Sequence, residues 1–338
     1  MKKLMTTLKA AIVLSIVAIA PVKAETVLTL SSWLPPSHPV VKDMIVPWTE
    51  QVKEATEGRV RVQILAKGLG HPKVHFDVAR NGLADITYSV HGYTPGRFLL
   101  TKVAEFPLSG NSSETLSTAY WKVYQKYFMK ADEHKGTQLL GLMTHGPGHI
   151  FTLDKEVTSL EDLKGLKIRI GGGLVNDVAM DMGVSPLLKP ARESYELLSH
   201  GVADGTFLPT ESVVAFKVDN LLKHATLVPN GLYNISFFLV MNEGTFKRLS
   251  KADQDAIMKV SGLNFAKIAG KAWDAADAAA MAKMKEQGNK IIEAPAELVE
   301  KISAISSNLE AAWIKEASSK GVDAKAALAE LRKLTSAQ

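Results

Sequence analysis

Alternation constrains this chain more than any other feature: short runs of β-forming residues recur, each separated from the next by a segment with helical spacing. Runs at 27–32, 60–65 and 84–89 read as strands, and helices are expected between them at 40–55 and 74–81. Pro47 falls inside the first of those helices and predicts a kink or an adjusted first turn, because proline lacks the amide proton that a helix interior uses. This order specifies an α/β lobe. After a helical stretch at 111–127 the pattern resumes, with strands at 139–144, 150–153, 166–170 and 201–207. Helices are expected over 160–165, 176–182 and 192–199, which makes a second lobe of the same class. The β-prone segment 227–241, containing ISFFLVM, is long enough for a central or lobe-crossing strand, and helices follow at 264–288, 296–318 and 323–334. The expected division is lobe one mainly in 25–145, lobe two mainly in 146–230, and 231–338 supplying the crossing strand and helices that complete both.

The first 24 residues carry Lys2 and Lys3, an apolar stretch at 10–20 and a small residue at Ala24, the pattern of a cleaved export signal. No cysteine stands beside the cleavage region, which excludes a lipid anchor attached through one. The whole-chain charge of +5 contains the four lysines of that signal; without them 36 basic side chains face 35 acidic ones, a net +1. No strong positive field is left to compete for phosphates, so nucleic acid is not an expected partner. The chain has no cysteine at all, and a mature length of 314 residues buries enough core to need no disulfides. No later segment is long and apolar enough to suggest a membrane span.

Arg169 closes the strand LKIRI between the apolar Ile168 and Ile170, just before the glycine run 171–173. A planar guanidinium in that position can clamp a carboxylate through two parallel hydrogen bonds, which a lysine cannot. The local pattern alone also fits an exposed arginine on an amphipathic strand. A wider pattern weighs on the choice: GLADITYS at 82–89, EFPL at 105–108, SLEDLKGLKIRI at 159–170, MGVSPLLK at 182–189 and GVADGTFLP at 201–209. In these segments and their order the chain resembles the DctP-like extracytoplasmic solute-binding proteins of tripartite ATP-independent periplasmic (TRAP) transporters, over nearly all of its mature length.

The resemblance implies a two-lobed α/β periplasmic solute-binding protein with crossing hinge strands, a long interlobe helix and a ligand in the cleft. It implies that Arg169 fixes a solute carboxylate, that closure follows binding, and that the partners are a small organic acid or zwitterion and the TRAP membrane subunits. A monomer in the periplasm, without cofactor, is the expected form. Two departures from the better-known acidic-sugar and dicarboxylate members bear on the solute. Where many relatives place a second cation, HGPGH places His149, whose protonation adds charge only in acid. Where many place asparagine before proline, this chain has Leu208 before Pro209, and leucine cannot replace an amide's hydrogen bonds. A small or partly apolar acid, a monocarboxylate or zwitterion, is therefore expected, with Phe207 on its apolar side. Trp33, His38, His91, Tyr93, Tyr233 and Asn234 complete the candidate contacts, from loops and a hinge.

Other readings stay open at this level. Trp33, Phe207 and Tyr233 could wall an amine by cation–π attraction, although Arg169 opposes a purely cationic solute. An uncharged polar solute is a further alternative. An exported enzyme finds less support: GxSxG is absent, the glycine run lacks phosphate-loop spacing, and the pairs in HPKVH and HGPGH lack a third and fourth metal ligand. Neither a catalytic residue nor a metal site is assigned.

Overall fold

The computed structural model describes residues 25–336, so the export-signal reading of 1–24 lies outside the described residues. Two sheets organise the chain. The first has the order β2 (Val60–Ile64), β1 (Thr26–Ser31), β3 (Ile86–Val90), β10 (Ser236–Asn242), β4 (Thr137–Thr144). Its first three strands are parallel, while β10 runs antiparallel to both of its neighbours. The second has the order β11 (Lys290–Glu293), β9 (His224–Leu227), β5 (Gly148–Thr152), β8 (Gly205–Pro209), β6 (Lys167–Ile170), β7 (Ser185–Leu188). Helices cover the sheets, and a continuous apolar core runs from one lobe into the other, with a smaller cluster under β5 and β8.

Most elements fall where the pattern puts them, with instructive differences. The segment 227–241 is not one strand: Pro229, Asn230 and Gly231 break it, with Asn230 and Gly231 at φ +60° and +83°. β10, the ISFFLVM part, is central in the first sheet, and the chain crosses between lobes just before it. The helix expected over 40–55 is two pieces, a wide turn at Val40–Ile45 and an α-helix at Val46–Ala55. The Val46 amide donates to the Val41 carbonyl, five residues back, immediately ahead of Pro47, whose missing proton cannot continue the ordinary ladder. A capping box between Ser159 and Asp162 starts the short helix Leu160–Leu163.

Among the described residues two strand crossings join the lobes, together with a long helix and the helix Ala296–Ser318, which returns from β11 to the first lobe. β4 leads into β5 through His145, Gly146 and Pro147, and β9 leads into β10; the two crossings bond to each other through Gly148 N–H to Tyr233 O (2.8 Å) and Leu232 N–H to Gly148 O (2.8 Å). The 24-residue helix Leu263–Glu286, about 36 Å long at 1.5 Å per residue, spans both lobes. Two of its carboxylates, one turn apart, each cap a helix in a different lobe. Asp274 accepts from Ser113 N–H (2.6 Å) at the start of Ser113–Val123, and Asp277 accepts from Glu211 N–H (2.7 Å) in the first turn of Thr210–Ala215. Each satisfies amides that a helix start leaves without partners, which fixes the long helix to both lobes. Among the described residues no helix is long and apolar enough to cross a membrane.

Candidate functional site

Where the lobes meet, a cavity lies between them. The first lobe contributes Trp33, His38 and Tyr93, the crossings Tyr233, Ile235 and Phe237, the second lobe Arg169, Leu208 and Ser212, and the long helix Trp273. Arg169 and Leu208 come from near the ends of strands and Trp33 and Tyr93 from turns after strands, where side chains project past the edge of a rigid sheet, while Ser212 and Trp273 come from helices. The walls are mainly aromatic and aliphatic, and no Asp or Glu is among the residues that line them.

Arg169 is the cavity's cation. Its strand β6 lies between β8 and β7, and Ile168 and Ile170 anchor it in the core at 0 % exposure. Arg169 itself is only 2 % exposed. Its Nε and Nη2 both donate to the Lys189 carbonyl, at 2.9 and 2.7 Å, which fixes the plane of the guanidinium. Among the described residues no carboxylate pairs with it within 4.0 Å. A β-carbon added to neighbouring Gly171 would stand 2.5 Å from Ile235, 3.7 Å from Arg169 Nη2 and 3.9 Å from the Tyr93 ring, so all three converge there. Tyr93 accepts from the Ala191 amide at 2.9 Å; burial raises its pKa and the charge of Arg169 opposes that rise.

Histidines around the cavity are neutral. His145 donates from Nδ1 to the Gly146 carbonyl and accepts at Nε2 from Ile235 N–H (3.1 Å), and burial lowers its pKa to about 3 with help from Arg169. His38 accepts at Nδ1 from Val40 N–H (3.3 Å), which leaves the proton on Nε2, 3.6 Å from Glu211 Oε1. Burial lowers His38 to about 4 and raises Glu211 to about 8, so this pair faces across the lobes as two neutral groups rather than as an ion pair.

Of the nine residues expected at a site, the structure brings five into the cavity wall: Trp33, His38, Tyr93, Arg169 and Tyr233. His149 lies on β5, with Nδ1 accepting from Val228 N–H (3.1 Å). Phe207 points from β8 into the packed core at 0 % exposure, while the next residue on the strand, Leu208, faces the cavity. Asn234 ties the crossings together, donating from Nδ2 to the carbonyls of His145 (2.9 Å) and Gly146 (3.0 Å). His91 lies in a buried chain, bonded to Ser236 Oγ (3.0 Å) and to His134 Nε2 (2.9 Å), beside a second cleft at the lobe rim. Residues that the sequence pattern did not place here are His145, Ser212, Phe216, Ile235, Phe237 and Trp273. The alternation in ISFFLVM, with Phe237 toward the cavity and Phe238 among Phe76, Phe98 and His134, was the available signal for one of them.

Among the described residues no group of three His, Cys, Asp or Glu side chains is arranged for a metal ion. Residues 30–316 match the sequence model of bacterial extracellular solute-binding protein family 7, DctP. A TRAP periplasmic solute-binding protein from Bordetella bronchiseptica, solved with bound (R)-mandelate and (S)-mandelate, is 48 % identical, with a TM-score of 0.90 over 92 % of this chain and 99 % of that one. A TRAP solute-binding protein from Rhodoferax ferrireducens, in complex with copurified benzoate, is 30 % identical, with a TM-score of 0.85 over 92 % and 98 % of the two chains. The outer membrane transporter protein TsaT of Comamonas testosteroni is 30 % identical over 302 residues, 89 % of each chain.

Proposed function

The chain belongs to bacterial extracellular solute-binding protein family 7, whose members are receptors of TRAP transporters rather than enzymes, and from that premise we propose that its solute is a small aromatic monocarboxylate held at Arg169. One observation carries the reading: a buried guanidinium, oriented by the Lys189 carbonyl and without a carboxylate partner among the described residues, faces a mainly aromatic and aliphatic cavity between the lobes. An unpaired buried charge is costly, and a solute carboxylate entering bidentately removes that cost. The rings of Trp33, Tyr93, Tyr233, Phe237 and Trp273 around the guanidinium suit an aromatic ring with a short acid arm. Leu208 and Ile235 offer no second polar anchor of the kind a sugar acid or dicarboxylate needs, and no carboxylate lines the wall to pair with an ammonium. Mandelate and benzoate, bound by the two related structures, fit this description.

In this reading the exported protein works in the periplasm, captures the acid by closing its lobes, and presents the closed surface to TRAP membrane subunits. Native mass spectrometry of the gently purified mature protein tests the solute class. The expected result is one aromatic acid per chain, identified after denaturing release. A released sugar acid, dicarboxylate or amine contradicts it.

A further inference from the structure

We infer that a clasp outside the solute cavity sets the closed state: Gly92 of the first lobe seats on the Gly172–Gly173 backbone of the second, and Glu105 bonds across the same gap. None of these four residues lines the solute cavity. A β-carbon on Gly92 would stand 2.5 Å from Gly172 C and Gly173 N and 2.7 Å from Gly172 O; one on Gly172 would stand 2.5 Å from Gly92 O. All of these are backbone atoms, which cannot swing aside as a side chain can. The lobes therefore touch main chain to main chain, a contact open only to glycine on both sides.

Glu105, 1 % exposed, makes the polar half of the clasp. Its Oε2 accepts from Leu174 N–H (2.9 Å), the first amide of the second-lobe helix Leu174–Asp181. Its Oε1 accepts from Ser236 N–H (3.2 Å) and Ser236 Oγ–H (2.5 Å) on β10. One carboxylate thus joins the hinge-side strand of one lobe to the positive end of a helix in the other. A β-carbon on Gly173 would stand 2.5 Å from Glu105 Oε2, so the glycine also makes room for the carboxylate. At the outer rim Lys102 and Asp177 pair at 3.2 Å. Opening the lobes parts the glycine seat, the Glu105–Leu174 bond and the Lys102–Asp177 pair, while the Ser236 bonds stay within the first lobe and hold the carboxylate in place. The free energy of the parted contacts belongs to the closed state alone, and the clasp scales solute affinity through the closed fraction.

The clasp rests on the receptor reading, and its test separates the two. The chain contains no cysteine, so Lys67→Cys and Glu196→Cys, at exposed positions in different lobes, give a unique spin-label pair across the cleft. Distances are read with and without benzoate or mandelate, together with affinity. Gly92→Ala adds no left-handed backbone strain, because Gly92 is not at positive φ, yet it blocks the seat; it is expected to hold the long distance at saturating acid and to weaken binding about 100-fold. Glu105→Gln places an amide or a weaker acceptor against Leu174 N–H and is expected to weaken binding about 10-fold with the open fraction raised. Unchanged distance and affinity in both variants overturn the clasp. If neither acid binds the parent protein, the solute class fails on its own. The clasp is then judged without ligand: a longer distance in Gly92→Ala supports it, and coincident distances overturn it.

Discussion

Replacing Arg169 with methionine is expected to abolish tight binding of aromatic acids while leaving the melting temperature of the empty protein unchanged or higher. The two halves of this result have one cause. The guanidinium is buried, and its Nε and Nη2 donate to the Lys189 carbonyl. Methionine keeps much of the volume and removes a charge whose burial is costly, at the expense of leaving that carbonyl short of donors. In the complex the same guanidinium meets a carboxylate excluded from water. Truncating one partner of a buried charge pair costs roughly 3–5 kcal/mol, so affinity should fall about 10²- to 10⁴-fold. Arg169→Lys should recover little of this, because a shorter point charge lacks the planar fork. Calorimetric titration with benzoate and mandelate, beside thermal melts, checks both halves. Equal affinity in Arg169→Met and the parent removes the arginine from the site, and a collapsed melting temperature makes it a structural residue.

Acid should unfold the protein at a pH where its carboxylates are still largely ionised in the unfolded chain. Six histidines, His38, His75, His91, His134, His145 and His149, are each no more than 7 % exposed. Burial holds His38, His75 and His149 down to about 4, His134 and His145 to about 3, and His91 well below the ordinary 6.5. Their folded pKa values lie below the unfolded ones, so as pH falls through 6.5 the unfolded chain binds protons that the fold refuses, and stability is lost until about pH 4. Glu211 and Asp277 act oppositely. Burial raises them to about 8 and about 7, so the fold holds their protons and gains stability as pH falls, and Glu105 and Glu133 shift the same way. The balance leaves the unfolded chain with two to four more protons, roughly 3–5 kcal/mol per pH unit once the histidines titrate. The melting temperature should drop by about 10 °C or more between pH 7 and pH 5. A flat or rising profile over that interval means these rings are not held neutral.

The same residues show what can be read from sequence and what cannot. Arg169 was singled out by resemblance rather than by its strand, which also carries Lys167 and equally fits an exposed arginine; the structure places it in the cavity wall. His149 and Phe207 sit on strands β5 and β8 of the second sheet, but a shift of one position moves a side chain to the opposite face, and no local signal chooses between Phe207 and Leu208. Trp273 reaches the cavity from a helix more than 100 residues beyond Arg169; its periodicity announces a buried face but not what that face meets. β7 escaped the strand pattern because Pro186 argues against a strand interior, and the sheet order places it at an edge, where a missing donor is tolerated. EFPL and the glycine run 171–173 stood out in the sequence, but nothing in them pointed to a closure contact. Gly92 and Gly172 are ordinary turn residues until the fold sets them backbone to backbone.

The central claim is that a buried, otherwise unpaired Arg169 selects a carboxylate on an aromatic body, and titration of the parent protein with benzoate against its neutral isostere benzamide tests it most directly. The two differ in charge at one end and little in shape. Benzoate is expected to bind one per chain and benzamide at least about 100-fold more weakly, because the amide cannot neutralise the guanidinium and brings donors against donors. Equal binding of the two, or binding of benzamide alone, contradicts the account.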